Sequence, residues 1–533
     1  MPTDPARGIE PAAFGVERFT VAEVLDRRAE QFGDRVMMSI DGTPVTFAQM
    51  RDRSCAAAGM LAERGIRRGD TVALFAGTCT EWVYFWLGAA RIGAVSAAVN
   101  AANKGDFLTE ALNLSRATLV VCDADRRVRL AEVADRLAAA TSTLLIDDSV
   151  ATALTACDRV TFPSVRTAVD EVGALFFTSG TTGPSKAVAA TWHYLFVVAA
   201  TAAAAWELGP NEVIWTAMPL FHLSAAPTVL APMLVGATSV LASAFHPAEV
   251  ADELRDCGAA GFVGAGAMVS MLWNLPPEPR DAQIGLRFIS AAPIAPDLYR
   301  AIEDRYRCRV VTMYGLTEAF PLAYESVSDD GVPGTSGKVN PAFEVRIVDA
   351  DDRPVPDGVT GEITCRPRTA HVMSEGYVSS APGRRALRVD EHPEWFGTGD
   401  VGFLDDDQNL TYVDRAKDSL RRRGENVSSV ELERVVMQHP AVAEAAAVAV
   451  AGELGEDDIL VVVTLRPGAT VDFAELLDFC AARMPYFCVP RYLEVLDDVP
   501  KNVVGRVRKD LLRARGLCAA AWDREANGYL LSR

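Results

Sequence analysis

Short uncharged apolar runs recur along residues 20–350, and stretches of helical periodicity separate them. "TVALFAG" (71–77), "ATLVVCD" (117–123), "STLLID" (142–147), "ALFFTS" (174–179), "SVLAS" (239–243) and "LRFISAA" (286–292) are such runs. Residues 21–32, 81–92 and 125–140 read as helices between them. Continuous rather than alternating apolar strands need cover on both faces, and helices interleaved with strands supply it. The alternation therefore predicts an α/β chain built on mixed and mostly parallel sheets with flanking helices. After about residue 335 the texture shifts to shorter strands with turns, as in "FEVRIVD" and "GEITCR", which predicts a β-rich subdomain over 335–415. A further change falls near residue 415. There "NLTYVDRAKDSLRRRGENVSSVELERVV" begins as a strand, turns through a charged segment and enters a helix that Ser428 or Ser429 can cap. Residues 1–415 thus read as a large N-terminal domain and 416–533 as a small α+β C-terminal domain, with "AVAEAAAVAVAG" and "DDILVVVTLRP" as its strands.

Length supports several domains, since 533 residues exceed one ordinary core. The net charge of −19 argues against nucleic acid and anionic membranes as partners. Ten cysteines without a C-x-x-C pair, and six scattered histidines, fit reduced thiols in a cytoplasmic protein with no structural metal. The opening "MPTDPARGIEPAAFG" lacks a secretory pattern. Residues 221–245 and 259–276 are uncharged and long enough to span a membrane, but Pro227, Pro232 and Gly236 break the first and Gly261, Gly264 and Gly266 the second. Buried strands and helices of a large core are expected there, with no stable membrane insertion.

The stretch "FFTSGTTGPSKAV" (176–188) carries the strongest chemical signal. Thr178, Ser179, Gly180, Thr181, Thr182, Gly183 and Lys186 combine flexible backbone, hydroxyl donors and an ammonium, the makings of an anion nest. An apolar strand before it and an expected helix over 188–203 make a strand–loop–helix arrangement, a common seat for phosphate. It is not a Walker A loop, because Pro184 and Ser185 follow Gly183. Taken alone, such a loop is as well read as a flexible surface turn.

Further motifs follow it in order. "MPLFHLS" (218–224) sets His222 among apolar residues, and "SAAPIAP" (290–296) is a small-residue loop able to take a flat ring at Ala292 and Pro293. "MYGLTEA" (313–319) offers Tyr314, Gly315, Thr317 and Glu318, and "WFGTGDVGFLDDD" (395–407) presents Asp400 in a glycine-rich turn. "YVDRAKD" (412–418) and "RRRGENVSSVELE" (421–433) complete the set. Each alone has a bland reading: a core histidine, a helix-terminal acid, a solvated basic run.

Together, from "VTFAQM" (45–50) to "VRKDLLR" (507–513), these motifs resemble the adenylate-forming superfamily of acyl-CoA synthetases, luciferases and peptide-synthetase adenylation domains. "DRAKDSLRRRGENVSSVELE" is most similar to the carnitine and crotonobetaine CoA-ligase branch. The resemblance implies an enzyme that activates a small-molecule carboxylic acid with ATP and Mg²⁺ to an acyl-adenylate, after which a mobile C-terminal domain rotates and CoA displaces AMP. It implies that Thr178–Lys186 hold the outer phosphates, that Ala292, Pro293, Tyr314 and Gly315 frame adenine, and that Thr317 bonds the α-phosphate. Glu318, with Thr178, is the implied Mg²⁺ ligand; Asp400 and Arg415 hold the ribose, Lys417 is the hinge, Gly424 approaches the pantetheine tunnel, and His222 lines the acid pocket. That pocket is expected around Trp192, His222, 263–268, Ala291 and 316–320.

One departure stands out. The family's C-terminal glycine–lysine pair is Gly505–Arg506 here, in "VPKNVVGRVRKDLLR". Arg506 keeps the charge with a different reach; Lys509 or Lys501 is an alternative source of the ammonium; or the acid is not an ordinary carboxylate. Ala187 and Trp192 also replace the family's usual glycine and histidine. The third possibility leads to a second reading, a diazotase-like enzyme that activates nitrite and joins it to an aromatic amine. A third reading is a non-catalytic member that binds nucleotide or acyl ligand.

Overall fold

The computed structural model describes residues 9–138, 141–156, 165, 167–178, 185–379, 387, 389–415, 419–422, 425–452, 456–500 and 507–531. Two large sheets organise the N-terminal part. The first runs Arg309–Val311, Phe288–Ala292, Gly261–Ala265, Val213–Thr216, Thr238–Leu241, Val36–Ile40, Thr43–Thr46, and every neighbouring pair is parallel except the last. The second runs Val389–Glu391, Gly376–Val378, Lys186–Thr191, Val172–Thr178, Val95–Ala98, Thr71–Phe75, Leu119–Cys122, Ser142–Leu145. Its last five strands are parallel and its first four antiparallel to one another.

One apolar core joins residues of both sheets, such as Met38, Ile214 and Phe288 with Leu74, Ala174 and Phe176, to the helices Thr80–Arg91, Trp192–Ala205 and Ala226–Val235. The sequence "WHYLFVVAATAAAA" is apolar all round, so its helix has no solvent face to offer and only a fully enclosed position suits it. Thr191 starts that helix by accepting the Tyr194 N–H at 2.9 Å. Gly173 permits the close approach of the first side chain of that helix: a Cβ there would lie 2.3 Å from the Trp192 ring.

The expected helix over 188–203 is corrected here. Lys186–Thr191 is a strand, antiparallel to Val172–Thr178, with Thr178 opposite Lys186. The helix begins only at Trp192. Alanine and valine are tolerated by either state, and pairing with the apolar strand on each side decides for sheet. The strands on either side of the phosphate-loop candidate are therefore antiparallel, and no helix follows it directly.

Phe343–Val348, Gly361–Pro367, Phe396–Leu404 and Leu410–Arg415 form the four-stranded antiparallel sheet expected of the β-rich region. Gly376–Val378 and Val389–Glu391 depart from it and extend the second large sheet instead. The charged segment after residue 415 is not a simple turn. Ser419–Arg422 and Glu425–Ser428 pair as a hairpin before the helix Ser429–Met437, which Ser428 caps. A final sheet, Val442–Ala451, Asp457–Leu465, Tyr492–Val495 and Trp522–Asp523, closes over its own core around Leu432, Val461 and Leu476. The uncharged run 221–245 resolves into the helix Ala226–Val235 and the strand Thr238–Leu241, and no helix among the described residues is long and apolar enough to cross a membrane.

Candidate active site

Parallel strands bring their carboxyl ends to one edge of a sheet, where ligands of open α/β sheets commonly bind. Thr216, Ala265 and Ala292 end neighbouring parallel strands, with Ala265 in register with Ala292 and Val263 with Thr216. His222 follows the first of these strands, Gly266 the second and Pro293 the third. The backbones there pack too closely for side chains: a Cβ on Gly266 would lie 1.9 Å from the Pro293 carbonyl oxygen. Gly315, on the strand Met313–Leu316 just before the turn that holds Thr317 and Glu318, is confined the same way: a Cβ there would lie 2.6 Å from the Ala319 carbonyl oxygen.

Two carboxylates are buried at this edge, and a tyrosine hydroxyl donates to each. Tyr314 Oη donates to Asp400 Oδ2 at 2.8 Å, and Tyr377 Oη donates to Glu318 Oε1 at 2.6 Å. Burial first, and the Glu318 charge second, push the Tyr377 phenol far above its usual value. The Glu318 backbone is fixed as well: its carbonyl accepts the Ser374 N–H at 2.8 Å, and the neighbouring Thr317 carbonyl accepts the buried Tyr194 hydroxyl at 3.2 Å. The Lys186 ammonium lies over the Tyr377 ring, 4.4 Å from its centroid. A 2.8 Å hydrogen bond joins Ser374 Oγ and His392 Nε2, and the His392 ring meets Tyr377 edge-on at 5.1 Å. Burial, helped by the nearby Lys186 charge, pushes the His392 imidazolium down to about 4.

The C-terminal part reaches this edge through its hairpin and first helix. Glu425 Oε2 lies 3.1 Å from His222 Nε2 and accepts from Asn100 Nδ2 at 3.3 Å. Glu431, buried at the start of the helix Ser429–Met437, accepts the Ser185 N–H at 2.7 Å and its hydroxyl at 3.0 Å. Arg434 of that helix pairs with Glu110, and Gln438 Nε2 donates to Asp106 Oδ2 at 2.6 Å.

The sequence candidates fall into three groups. Thr178, Lys186, His222, Ala292, Pro293, Tyr314, Gly315, Thr317, Glu318 and Asp400 are positioned as described. The Arg415 backbone pairs opposite Asp400 in the sheet. Ser179, Gly180, Thr181, Thr182, Gly183, Lys417, Gly424, Lys501 and Arg506 lie outside the described residues. Lys509 binds within the C-terminal part, its ammonium 2.6 Å from Glu433 Oε1 and 2.8 Å from Ser429 Oγ. Trp192, expected to line a pocket, is packed in the core against Trp86 and Phe196. Tyr194, Tyr377 and His392 were not singled out by sequence reasoning, since no short motif marks them. Glu425 and Glu431 fall within "RRRGENVSSVELE", where Glu431 reads only as an acid in the first turn of a helix, and their contacts with His222 and Ser185 leave no local signal.

A sequence profile described as AMP-binding enzyme matches residues 25–378, and one described as AMP-binding enzyme C-terminal domain matches residues 431–506. The chain belongs to the AMP-binding enzyme family. It is 28% identical over 515 residues to the crotonobetaine/carnitine–CoA ligase of Salmonella typhi, covering 92% of this chain and 98% of the relative. Among solved structures it is similar to the amide bond synthetase McbA of Marinactinospora thermotolerans (TM-score 0.79, 24% identity, 92% of this chain and 99% of that one). The o-succinylbenzoate CoA synthetase MenE of Bacillus subtilis, bound with a product analogue, aligns with TM-score 0.79, 23% identity and 92% and 98% coverage. ATP-bound MatB from Rhodopseudomonas palustris aligns with TM-score 0.66, 25% identity and 93% and 98% coverage.

Proposed function

We propose that the protein is an ATP-dependent, AMP-forming ligase that activates a carboxylic acid as its adenylate and passes the acyl group to CoA. The observation that carries this reading is the convergence of Lys186, Glu318 and the Tyr314–Asp400 pair from separate strands. Lys186 and the loop before it suit the outer phosphates, Thr317 the α-phosphate, and Asp400 with Arg415 the ribose hydroxyls. Ala292, Pro293, Tyr314 and Gly315 would frame the base. Relatives that are CoA ligases over nearly their whole length support CoA as acceptor.

No cluster of three or more potential metal-binding side chains occurs among the described residues. Mg²⁺ in its nucleotide-bound mode needs only one protein carboxylate beside phosphate oxygens and water. Glu318 fits that single carboxylate, with the Thr178 hydroxyl as a further oxygen. When bound, the cation would neutralise phosphate charge as the acid attacks. The protein's own share is orientation: the exposed ammonium of Lys186 toward phosphate and the buried carboxylate of Glu318 toward the cation.

The contacts of Glu425 with His222 and of Glu431 with Ser185 favour an arrangement for the second half-reaction. They seat the strand Glu425–Ser428 and the start of the following helix against His222 and Ser185. The division at 415/416, with Lys417 as hinge, and a cytoplasmic location belong to this proposal.

Nitrite activation with coupling to an aromatic amine is a second reading, favoured only by Arg506 in place of the family lysine. The test is exchange of labelled pyrophosphate into ATP, driven by a pooled set of alkyl and aryl carboxylic acids. Acid-dependent exchange supports the ligase. Exchange only with nitrite favours the second reading, and no exchange with any acid favours a non-catalytic binder.

A further inference from the structure

Tyr377 touches two charged groups of the proposed nucleotide site at once. Its ring face receives the Lys186 ammonium at 4.4 Å and its hydroxyl donates to Glu318 Oε1 at 2.6 Å. A phenol can do both because the ring's negative quadrupole faces outward while the O–H points along the ring plane. The side chain is held from several directions. Its strand pairs directly with that of Lys186, Tyr377 opposite Val188. Gly376 beside it has φ +137° and no room for a Cβ, which would lie 2.2 Å from the Asp390 carbonyl oxygen. The His392 ring closes the edge, itself fixed to Ser374, whose N–H holds the Glu318 carbonyl. The ring thus reaches Lys186 and Glu318 from a strand, a tight glycine and a histidine, all set by the fold rather than by a ligand.

We propose that Tyr377 is a positioning residue for adenylation: its hydroxyl aims the Glu318 carboxylate at the nucleotide-bound divalent cation, and its ring seats Lys186 for the phosphates. This rests on the ligase reading above. Two variants separate the two contacts. Tyr377→Phe keeps the ring and removes the hydroxyl; Tyr377→Leu removes both. ATP binding is measured by calorimetry on the full chain, with excess Mg²⁺ and again with the metal chelated, and thermal midpoints are recorded for each variant.

Tyr377→Phe should weaken binding of Mg·ATP about tenfold, as loss of a partner to a metal ligand commonly does. Its affinity for metal-free ATP should stay within about twofold of the parent, because Lys186 keeps its seat. Tyr377→Leu should weaken both. A Phe variant with the parent's difference between the two conditions overturns the proposal. So does a lowered thermal midpoint with that difference unchanged, which is the mark of packing alone. A parent protein that binds no ATP in either condition instead overturns the ligase reading.

Discussion

Asp400 and Glu318 illustrate how single residues acquire function from distant ones. Each carboxylate is buried, and each is met by a tyrosine hydroxyl 86 and 59 positions away in the chain. A hydrogen bond to a charged group contributes about 1.5–3 kcal/mol. Tyr314→Phe should therefore raise KM for ATP roughly tenfold or more while kcat changes far less; an unchanged KM would show that Asp400 needs no such anchor. His392 gives a pH signature. Its imidazole titrates near 6.5 when unfolded and is pushed down to about 4 in the fold. The unfolded chain thus takes up the proton first. The stability is intact above about pH 6.5 and is lost as pH falls toward 4, by at most ~3 kcal/mol. Denaturation monitored across that range should show the loss, and His392→Gln should flatten it. The motif residues themselves were legible from the sequence, since Thr178, Lys186, Glu318 and Asp400 stand in short glycine-rich or hydroxyl-rich stretches. Tyr314 was legible too, in "MYGLTEA", but its bond to Asp400 and the whole part of Tyr377 were not, because a hydrogen bond between distant segments leaves no local pattern.

At the scale of elements, periodicity served well where packing agreed with local preference. The helix Val21–Phe32 and the strand Thr71–Phe75 fall where the sequence indicated. Lys186–Thr191 did not, because its neutral residues took the state of their sheet neighbours. The hairpin Ser419–Ser428 was hidden by its charge, although it is the element that brings Glu425 to His222. The helix that follows presses Glu431 onto Ser185. Glu431→Gln removes the charge that strengthens both bonds to Ser185, leaving at best two neutral ones with the hydroxyl turned to accept. Combined Glu425→Gln and Glu431→Gln should lower thioester formation from added acyl-adenylate about tenfold or more, two charge-assisted bonds being weakened. Acid-dependent pyrophosphate exchange should stay within about twofold if these contacts serve only the second half-reaction. Equal loss in both assays would remove the hairpin from that role.

On the scale of the molecule, two mostly parallel sheets with a shared helical core place strand ends, and the hairpin and first helix of the C-terminal part meet them. The acidic balance, −19 over 533 residues, repels anions in general, so an anionic substrate depends on a locally cationic point such as Lys186. The fold class follows from alternation of runs and helices. The acid itself does not follow, because pocket shape depends on side chains brought together from five separate stretches, and Trp192, assigned to the pocket from position alone, turned inward to the core. The most direct measurement of the central claim is mass-resolved chromatography of the products from ATP, Mg²⁺, CoA and pooled carboxylic acids, beside a parallel reaction with nitrite and aromatic amines. The account predicts AMP together with a new acyl-CoA mass in the first reaction. AMP in the nitrite reaction alone, with a diazo product mass, would contradict it.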